Sequence, residues 1–385
     1  MPCSTSPSNS GSMPAPLSSP ADLVLIGHPF APTGVGQLIR PTIASLRAAS
    51  VPFQVLDCHG YFPVDPAMGL DLVRRPGPGI NLFHINGDEV EAILAKLGAP
   101  PAGSFNVVFP AWELPTYPAH WARQLERFDE VWGFSEFVVS SLRAAVRRNV
   151  FLAPLSVAPE IRRYHSRSEW GIPGSSQVFF FSFDCSSYPE RKNPWAVLAA
   201  FRRLRQIRPW ADVQLLLKVS GGDRDPRALA RLRKEVDSLA PYAMLIDRSL
   251  DAEEMKSLLM ACDAYVSLHR SEGFGFCLAE AMYFGKPVIA TAYSGNLDFM
   301  TPETACLVDY RLVPVKPGEY PCGEGQSWAE PSIEQAAEHM ARLVDDPAAG
   351  RRLGARASAW IRRTCSPLAL GLSYRDRLEA MTRPS

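Results

Sequence analysis

Glu272 and Glu280 are separated by seven residues, Gly273-Phe274-Gly275-Phe276-Cys277-Leu278-Ala279. Carboxylates of this kind accept hydrogen bonds from sugar hydroxyls. Gly273 and Gly275 leave the backbone bare, so amides at a helix start there can come close to an anion, which the helix dipole also favours. If the helix begins near Gly275, Glu280 lies a little over one turn in, on the side of Gly273 and Phe276. Sugar-binding acids beside a phosphate-binding turn suit a nucleotide-sugar. A second charged segment, Glu190-Arg191-Lys192-Asn193-Pro194, places two cations at the start of another helix, with Asn193 as its cap and Pro194 in its first turn. Cations are unfavourable at a helix N-terminus, and an anionic partner such as a diphosphate would relieve that cost. Lys218, near the end of the following strand, is a third candidate for the same duty.

The elements that must position these residues read as strands alternating with helices. Residues 264–268 and 287–291 are apolar strands on either side of the Glu272 segment, so the local order is strand, loop, helix, strand, the unit of a parallel sheet. Earlier strands are expected over residues 23–27, 53–57, 80–85, 105–110, 130–134 and 151–154, with helices over 37–49, 88–97 and 137–146, the last capped by Ser135. Residues 156–173 carry mixed charge and prolines and read as a connection. The pattern then restarts with strands over 178–183, 213–219 and 244–246 and helices over 194–206, 226–239 and 253–260, and ends in helices over 332–343, 348–364 and 368–381. The fold class is therefore α/β, with two Rossmann-like domains: residues 21–155 and 173–365, joined by a linker over 156–172. Residues 1–20, rich in Ser and Pro, form an N-terminal tail expected to be disordered.

The Glu272/Glu280 pair, with Glu-Gly-Phe-Gly, Ala-Glu-Ala-Met and Gly-Lys-Pro-Val around it, resembles the E-x7-E motif of retaining glycosyltransferases of the GT-B fold, family 4 type. The resemblance implies that the two domains face each other across a cleft and that the segment 366–385 crosses back onto the first. It implies a hexose donor such as GDP-mannose and a glycan or lipid-linked saccharide acceptor in surface polysaccharide biosynthesis. Arg191 or Lys192, with backbone amides from Gly273 through Phe274 to Gly275, would stabilise the departing diphosphate. Glu272 would hold donor-sugar hydroxyls and Glu280 the ribose. Many relatives carry an arginine several residues upstream of Arg191, where this chain has Phe183-Asp184-Cys185-Ser186. The choice among Arg191, Lys192 and Lys218 therefore stays open. Gly34-Val35-Gly36 resembles the glycine loop under the donor. Trp112-Glu113-Leu114-Pro115 resembles a first-domain segment, with Glu113 either orienting the acceptor hydroxyl or serving as a structural carboxylate. Ser294 and Asn296 either touch base or sugar or build a capped turn.

Composition limits the alternatives. The 40 basic and 40 acidic residues cancel to a formal charge of +0, so no long-range field invites nucleic acid. The 8 cysteines form no Cys-x-x-Cys and the 7 histidines no His-x-x-x-His, so no local metal motif is visible and no bound cofactor beyond the nucleotide-sugar co-substrate is expected. Scattered thiols suit a cytoplasmic protein, and peripheral contact with the inner face of a membrane is left open. Asp223-Arg224-Asp225 precedes Pro226 and reads as a helix cap, not a metal motif. A dinucleotide-dependent oxidoreductase or epimerase would use Gly34, Gly36 and Asp57, although Ile39 replaces the third glycine of that fingerprint. A non-catalytic nucleotide-sugar-binding protein of the same fold is the other alternative.

Overall fold

The computed structural model describes Ser19, residues 22–31 and residues 36–382. Gly34 and nearly all of the expected tail lie outside the described residues. The first half contains β1 (Leu23–Gly27), α1 (Gly36–Ala48), β2 (Gln54–Asp57), β3 (Ile80–Phe83), α2 (Val90–Leu97), β4 (Phe105–Val108), α3 (Ala119–Leu125), β5 (Glu130–Gly133), α4 (Glu136–Arg143) and β6 (Asn149–Leu152). Its six strands are all parallel, in the order β2-β1-β3-β4-β5-β6. Every residue of β1, β3 and β5 is buried. Helices on both faces demand this of a parallel sheet, and it explains why these strands read as apolar runs without alternation.

The second half repeats the plan. It contains β7 (Gln177–Asp184), α5 (Pro189–Lys192), α6 (Pro194–Ile207), β8 (Val213–Ser220), α7 (Pro226–Asp237), β9 (Ala243–Ile246), α8 (Ala252–Ala261), β10 (Ala264–Ser267), α9 (Phe276–Tyr283), β11 (Val288–Thr291) and β12 (Cys306–Val308). The parallel order is β12-β11-β10-β7-β8-β9. The antiparallel hairpin β13 (Tyr310–Pro314) and β14 (Ser327–Pro331) follows, then α10 (Ile333–Asp345), α11 (Pro347–Thr364) and α12 (Pro367–Met381). In the first sheet the strand order reverses between β1 and β3, and in the second between β7 and β10. Loops leaving such a pair part to opposite faces and open a crevice at the carboxyl ends. Arg191, Lys192 and Glu272 all follow β7 or β10.

Several elements differ from the sequence expectation: strand β12 and the single turn α5 are not anticipated, nor are the two that follow. Helix α3 begins directly after Pro118, which sits in extended geometry (φ −62°, ψ 127°), and spans only 7 residues. That is too short for a helical period to emerge. The hairpin β13–β14 is also unexpected, because Pro314 and Pro331 lie within its strands and Pro317, Gly318, Pro321, Gly323 and Gly325 interrupt its connection. The Asp225 side chain accepts from the Ala228 amide at 2.9 Å, the capping geometry that Pro226 calls for.

The last helix returns to the first half and lies along α1. The contact is close: a Cβ on Gly371 would stand 2.0 Å from the Ser45 carbonyl oxygen and 2.9 Å from Ala49 Cβ. Tyr374, fully buried, donates its hydroxyl to the Pro154 carbonyl. One turn further on, Arg377 meets Glu130, a carboxylate only 2% exposed that also accepts from Trp132 Nε1 and Asn149 Nδ2, each at 2.8 Å. Arg377→Ala should therefore strand a buried charge and lower stability by on the order of 3 kcal/mol, measured by urea unfolding. Arg377→Lys should restore only part of it, because an ammonium cannot span both carboxylate oxygens.

Candidate functional site

The site begins at the reversal between β7 and β10. After β7, Tyr188 adopts φ 63° and Asn193 φ 54°. These turns fold the single turn of α5 back on itself before α6 starts. Asn193 caps α6 by accepting from the Ala196 amide at 3.3 Å. The neighbouring loop is fastened to this one along its length. The Arg270 amide donates to the Arg191 carbonyl at 2.8 Å. The Arg270 guanidinium donates to the Glu190 carbonyl and carboxylate, each at 3.0 Å, and to Glu330 at 2.8 Å.

Within that frame, charges converge. Arg191 Nη1 donates to Glu272 Oε2 at 3.1 Å and to the Ser271 carbonyl at 2.9 Å. Lys192 Nζ stands 2.5 Å from Glu272 Oε1. Glu113, from the first half, approaches Arg191 Nη2 at 3.7 Å through one oxygen and accepts the Tyr320 hydroxyl on the other. Burial would raise the Glu272 carboxyl, but Lys192, Arg191 and His269 outweigh it and hold it down at about 2. Burial likewise works against the Arg191 charge, and Glu113 and Glu272 overcome it, so Arg191 stays cationic. Arg191 Nε and Asn193 Nδ2 are buried with no hydrogen-bond partner among the described residues. A buried donor without an acceptor costs about 1–3 kcal/mol.

The Glu272 loop is held from both halves. The Glu272 amide donates to Ser294 Oγ at 2.8 Å, and the Gly295 amide donates to the Glu272 carbonyl at 2.9 Å. Ser135 Oγ, on the first half, donates to the Gly273 carbonyl at 2.7 Å. A Cβ on Gly273 would stand 2.8 Å from the Trp112 carbonyl oxygen and 2.9 Å from the Phe134 ring. The space a side chain at Gly273 would fill is thus taken up by the first half, a second reason for glycine at this position. Gly275, at φ 96°, is the residue before α9 and makes the left-handed turn into it.

The other expected site residues fall in distinct places. Glu280 is half-buried on α9. Burial raises its carboxyl to about 7, against the pull of Lys256 and of Arg40 from α1 of the opposite half. Gly36 starts α1 where a Cβ would lie 2.1 Å from the Ala31 carbonyl oxygen and 2.6 Å from Arg40 Nη1. Lys218 does not join the cluster: its ammonium donates to the Val219 carbonyl at 2.7 Å and Ser220 Oγ at 2.8 Å. Phe274 packs against Phe276 and Phe299 and belongs to the core. Asn296 is engaged by His269 Nε2 at 3.1 Å and by the Thr291 carbonyl at 3.0 Å, and Ser294 by the Glu272 amide, so both build the loop. Asp57 caps its own turn through the amides of His59 and Gly60.

Sequence reasoning missed Ser271, Tyr320 and Ser135 as site contacts. Ser271 Oγ donates to the Glu113 carbonyl, and Tyr320 comes from the unforeseen hairpin. Ser135 has a visible signal only for its second role, capping α4 by accepting from the Val138 amide at 3.3 Å. His269 was missed as well, although it lies only three residues before Glu272 in the chain.

Comparison with known proteins places this arrangement. The family model described as Glycosyl transferases group 1 matches residues 166–360. No curated protein sequence matches the chain. Among solved structures, the fold is similar to that of Anabaena Alr3699/HepE in complex with UDP and glucose, with TM-score 0.67 and 14% identity over 93% of this chain and 99% of that one. It is similar to sucrose-phosphate synthase (tll1590) from Thermosynechococcus elongatus, with TM-score 0.67 and 15% identity over 93% and 98%. A UDP-forming α,α-trehalose-phosphate synthase from Burkholderia xenovorans matches with TM-score 0.68 and 12% identity over 94% and 100%. At these identities the likeness is one of fold, the two-domain GT-B arrangement.

The Glu280 environment has a measurable consequence. Its folded value near 7 exceeds the ordinary 4.5, so between these values the folded chain keeps a proton that the unfolded chain has released. Stability therefore falls as pH rises through that window. Glu280→Gln should flatten this slope and raise stability above pH 7 by about 1–3 kcal/mol, read from thermal unfolding of both proteins across pH 4–8.

Proposed function

The chain belongs to the glycosyl transferases group 1, and from that premise we propose that it is a family 4 type enzyme that transfers a hexose from a nucleotide-sugar with retention of anomeric configuration. The acceptor in this reading is a glycan or lipid-linked saccharide of a surface polysaccharide, and the enzyme works on the cytoplasmic side. No helix among the described residues is long and apolar enough to cross a membrane.

The observation that carries the reading is Glu272 clasped between Arg191 and Lys192 at the second strand reversal, with Arg191 Nε and Asn193 Nδ2 left without acceptors. Both Glu272 oxygens are engaged by cations. A diphosphate competes for the same cations, and each contact it takes frees a Glu272 oxygen to accept from a donor-sugar hydroxyl. In the reaction the bond from the anomeric carbon to the phosphate oxygen breaks and the bond to the acceptor oxygen forms. The acceptor proton passes to the departing phosphate on the same face. Arg191 and Lys192 stabilise the charge that gathers there, and they do so in a site dried by the contacts around Gly273, where such stabilisation is strongest. Glu280, across from Arg40, accepts from the ribose hydroxyls. Glu113 is held by Tyr320 and Arg191 and positions the guanidinium.

Lys192→Ala should lower kcat by roughly 10²–10³ with little change in melting temperature, because Arg191 still holds Glu272. Near-normal steady-state rates in that variant would remove Lys192 from the mechanism. Uridine, guanosine, adenosine and thymidine diphosphate sugars should separate in a thermal-shift screen. The true donor at a hundredfold excess over its Kd adds about 2.7 kcal/mol of stability; failure of all four classes would sink the donor assignment.

A further inference from the structure

The first sheet has its own reversal of strand order, between β1 and β3, and the loops there gather a second set of reactive side chains. His28 follows β1, Cys58 and His59 follow β2, and Glu89 directly precedes α2. His28 Nε2 lies 3.2 Å from Glu89 Oε1 and 3.6 Å from Cys58 Sγ. His59 Nε2 lies 3.8 Å from the same Glu89 oxygen. The ligand atoms of His28, Cys58 and His59 all fall within 4.8 Å of one another. We propose that His28, Cys58, His59 and Glu89 form a binding site for a zinc-class divalent cation.

The geometry supports this directly. Zinc bonds of 2.0–2.3 Å in a tetrahedron imply ligand-to-ligand edges of about 3.3–3.6 Å. The contacts at 3.2, 3.6 and 3.8 Å are close to such edges, and the His28, Cys58 and His59 ligand atoms, all within 4.8 Å of one another, need to close by about an ångström at most. The donor set is one thiolate, two imidazoles and one carboxylate, a mixture that suits zinc better than calcium or magnesium. The supporting contacts also have the right character. The second Glu89 oxygen accepts from the Asn86 amide at 2.8 Å. The Cys58 amide donates to the Gly27 carbonyl at 2.9 Å. The His59 ring is stacked between those of His28 and Tyr61, at 4.7 Å from each. Such outer contacts fix the direction of metal ligands.

Cys58 is fully buried and His28 only 7% exposed, so four protein donors would enclose the ion, as in structural zinc sites. Binding exchanges the Cys58 thiol proton for the metal, releases that proton to solvent and involves no redox change. The ion would tie together the loops leaving β1, β2 and β3 on the side of the first half that carries Gly36. The site departs from the expectation of no metal, and it stands independently of the glycosyl-transfer reading.

The test uses the full chain, reduced, stripped with a chelator and titrated with cobalt(II) and then zinc. One equivalent of cobalt should produce a thiolate-to-metal charge-transfer absorption that one equivalent of zinc abolishes, and zinc should raise the melting temperature. Cys58→Ser should lose the absorption. His28→Ala, His59→Ala and Glu89→Gln should each weaken zinc affinity about tenfold or more. Cys322→Ser, at an exposed cysteine, should change nothing. The wild-type cobalt spectrum decides the matter even if a variant fails to fold. Absence of saturable binding or of the charge-transfer band overturns the proposal, as does a band that survives Cys58→Ser.

Discussion

Glu272 is a carboxylate with 8% exposure, gripped by a guanidinium on one oxygen and an ammonium on the other. A charge withdrawn from water to that degree persists only with partners, and here two cations share that duty. The pairing therefore constrains much more than one side chain. It requires the loops after β7 and β10 to lie together, which only the strand order with its reversal at that point allows. In the proposed reaction it also keeps two cations, already stripped of most of their water, poised for the departing diphosphate. Preorganisation of this sort is what makes an electrostatic site effective, because the cost of assembling it is met during folding.

The same cluster joins the two halves. Glu113 reaches Arg191 from the first half, Tyr320 reaches Glu113 from the hairpin, and Gln326 exchanges two hydrogen bonds with the Thr116 backbone, at 2.8 and 3.1 Å. Ser135 meets Gly273, and the Glu136 amide meets Asp298 at 2.8 Å. These contacts are polar and short, and small residues permit them. A side chain at Gly295 would stand 1.8 Å from the Gly273 carbonyl oxygen. Polar contacts between domains are individually modest, so an interface of this type can close over a ligand and release it. Glu113, on the first half, thus has its side-chain partners Arg191 and Tyr320 on the second and ties the two halves together.

Much of this was legible in the residues. Apolar runs such as Leu23-Val24-Leu25-Ile26 and Val288-Ile289-Ala290 could only be strands buried on both faces, and caps such as Ser135, Asn193 and Asp225 marked helix starts to within a residue. Hairpin β13–β14 and α3 escaped because their stability comes from tertiary packing while prolines and short length obscure any period. The candidate site divided along the same line. Arg191, Lys192 and Glu272 announce themselves by local context. Asn296, Ser294 and Phe274 have the same local context but turn their side chains to their own loop or core, and Lys218 spends its ammonium on its own strand end. Which way a side chain faces depends on what packs against it, and the chain neighbours do not carry that information.

Sequence alone determined the alternation of strands and helices, the doubling of that pattern, and the segment in which two glutamates and two glycines surround a helix start. It did so because burial period, cap chemistry and glycine turns are local properties. The tertiary structure decided which charges meet. It brought Glu113 and Tyr320 to Arg191 from distant parts of the chain, and it gathered His28, Cys58 and His59 together, with Glu89 beside the two histidines, although no spacing among them signals a motif. Such meetings are set by strand order and by the packing of one half on the other, and these depend on the sum of many contacts that no single segment encodes.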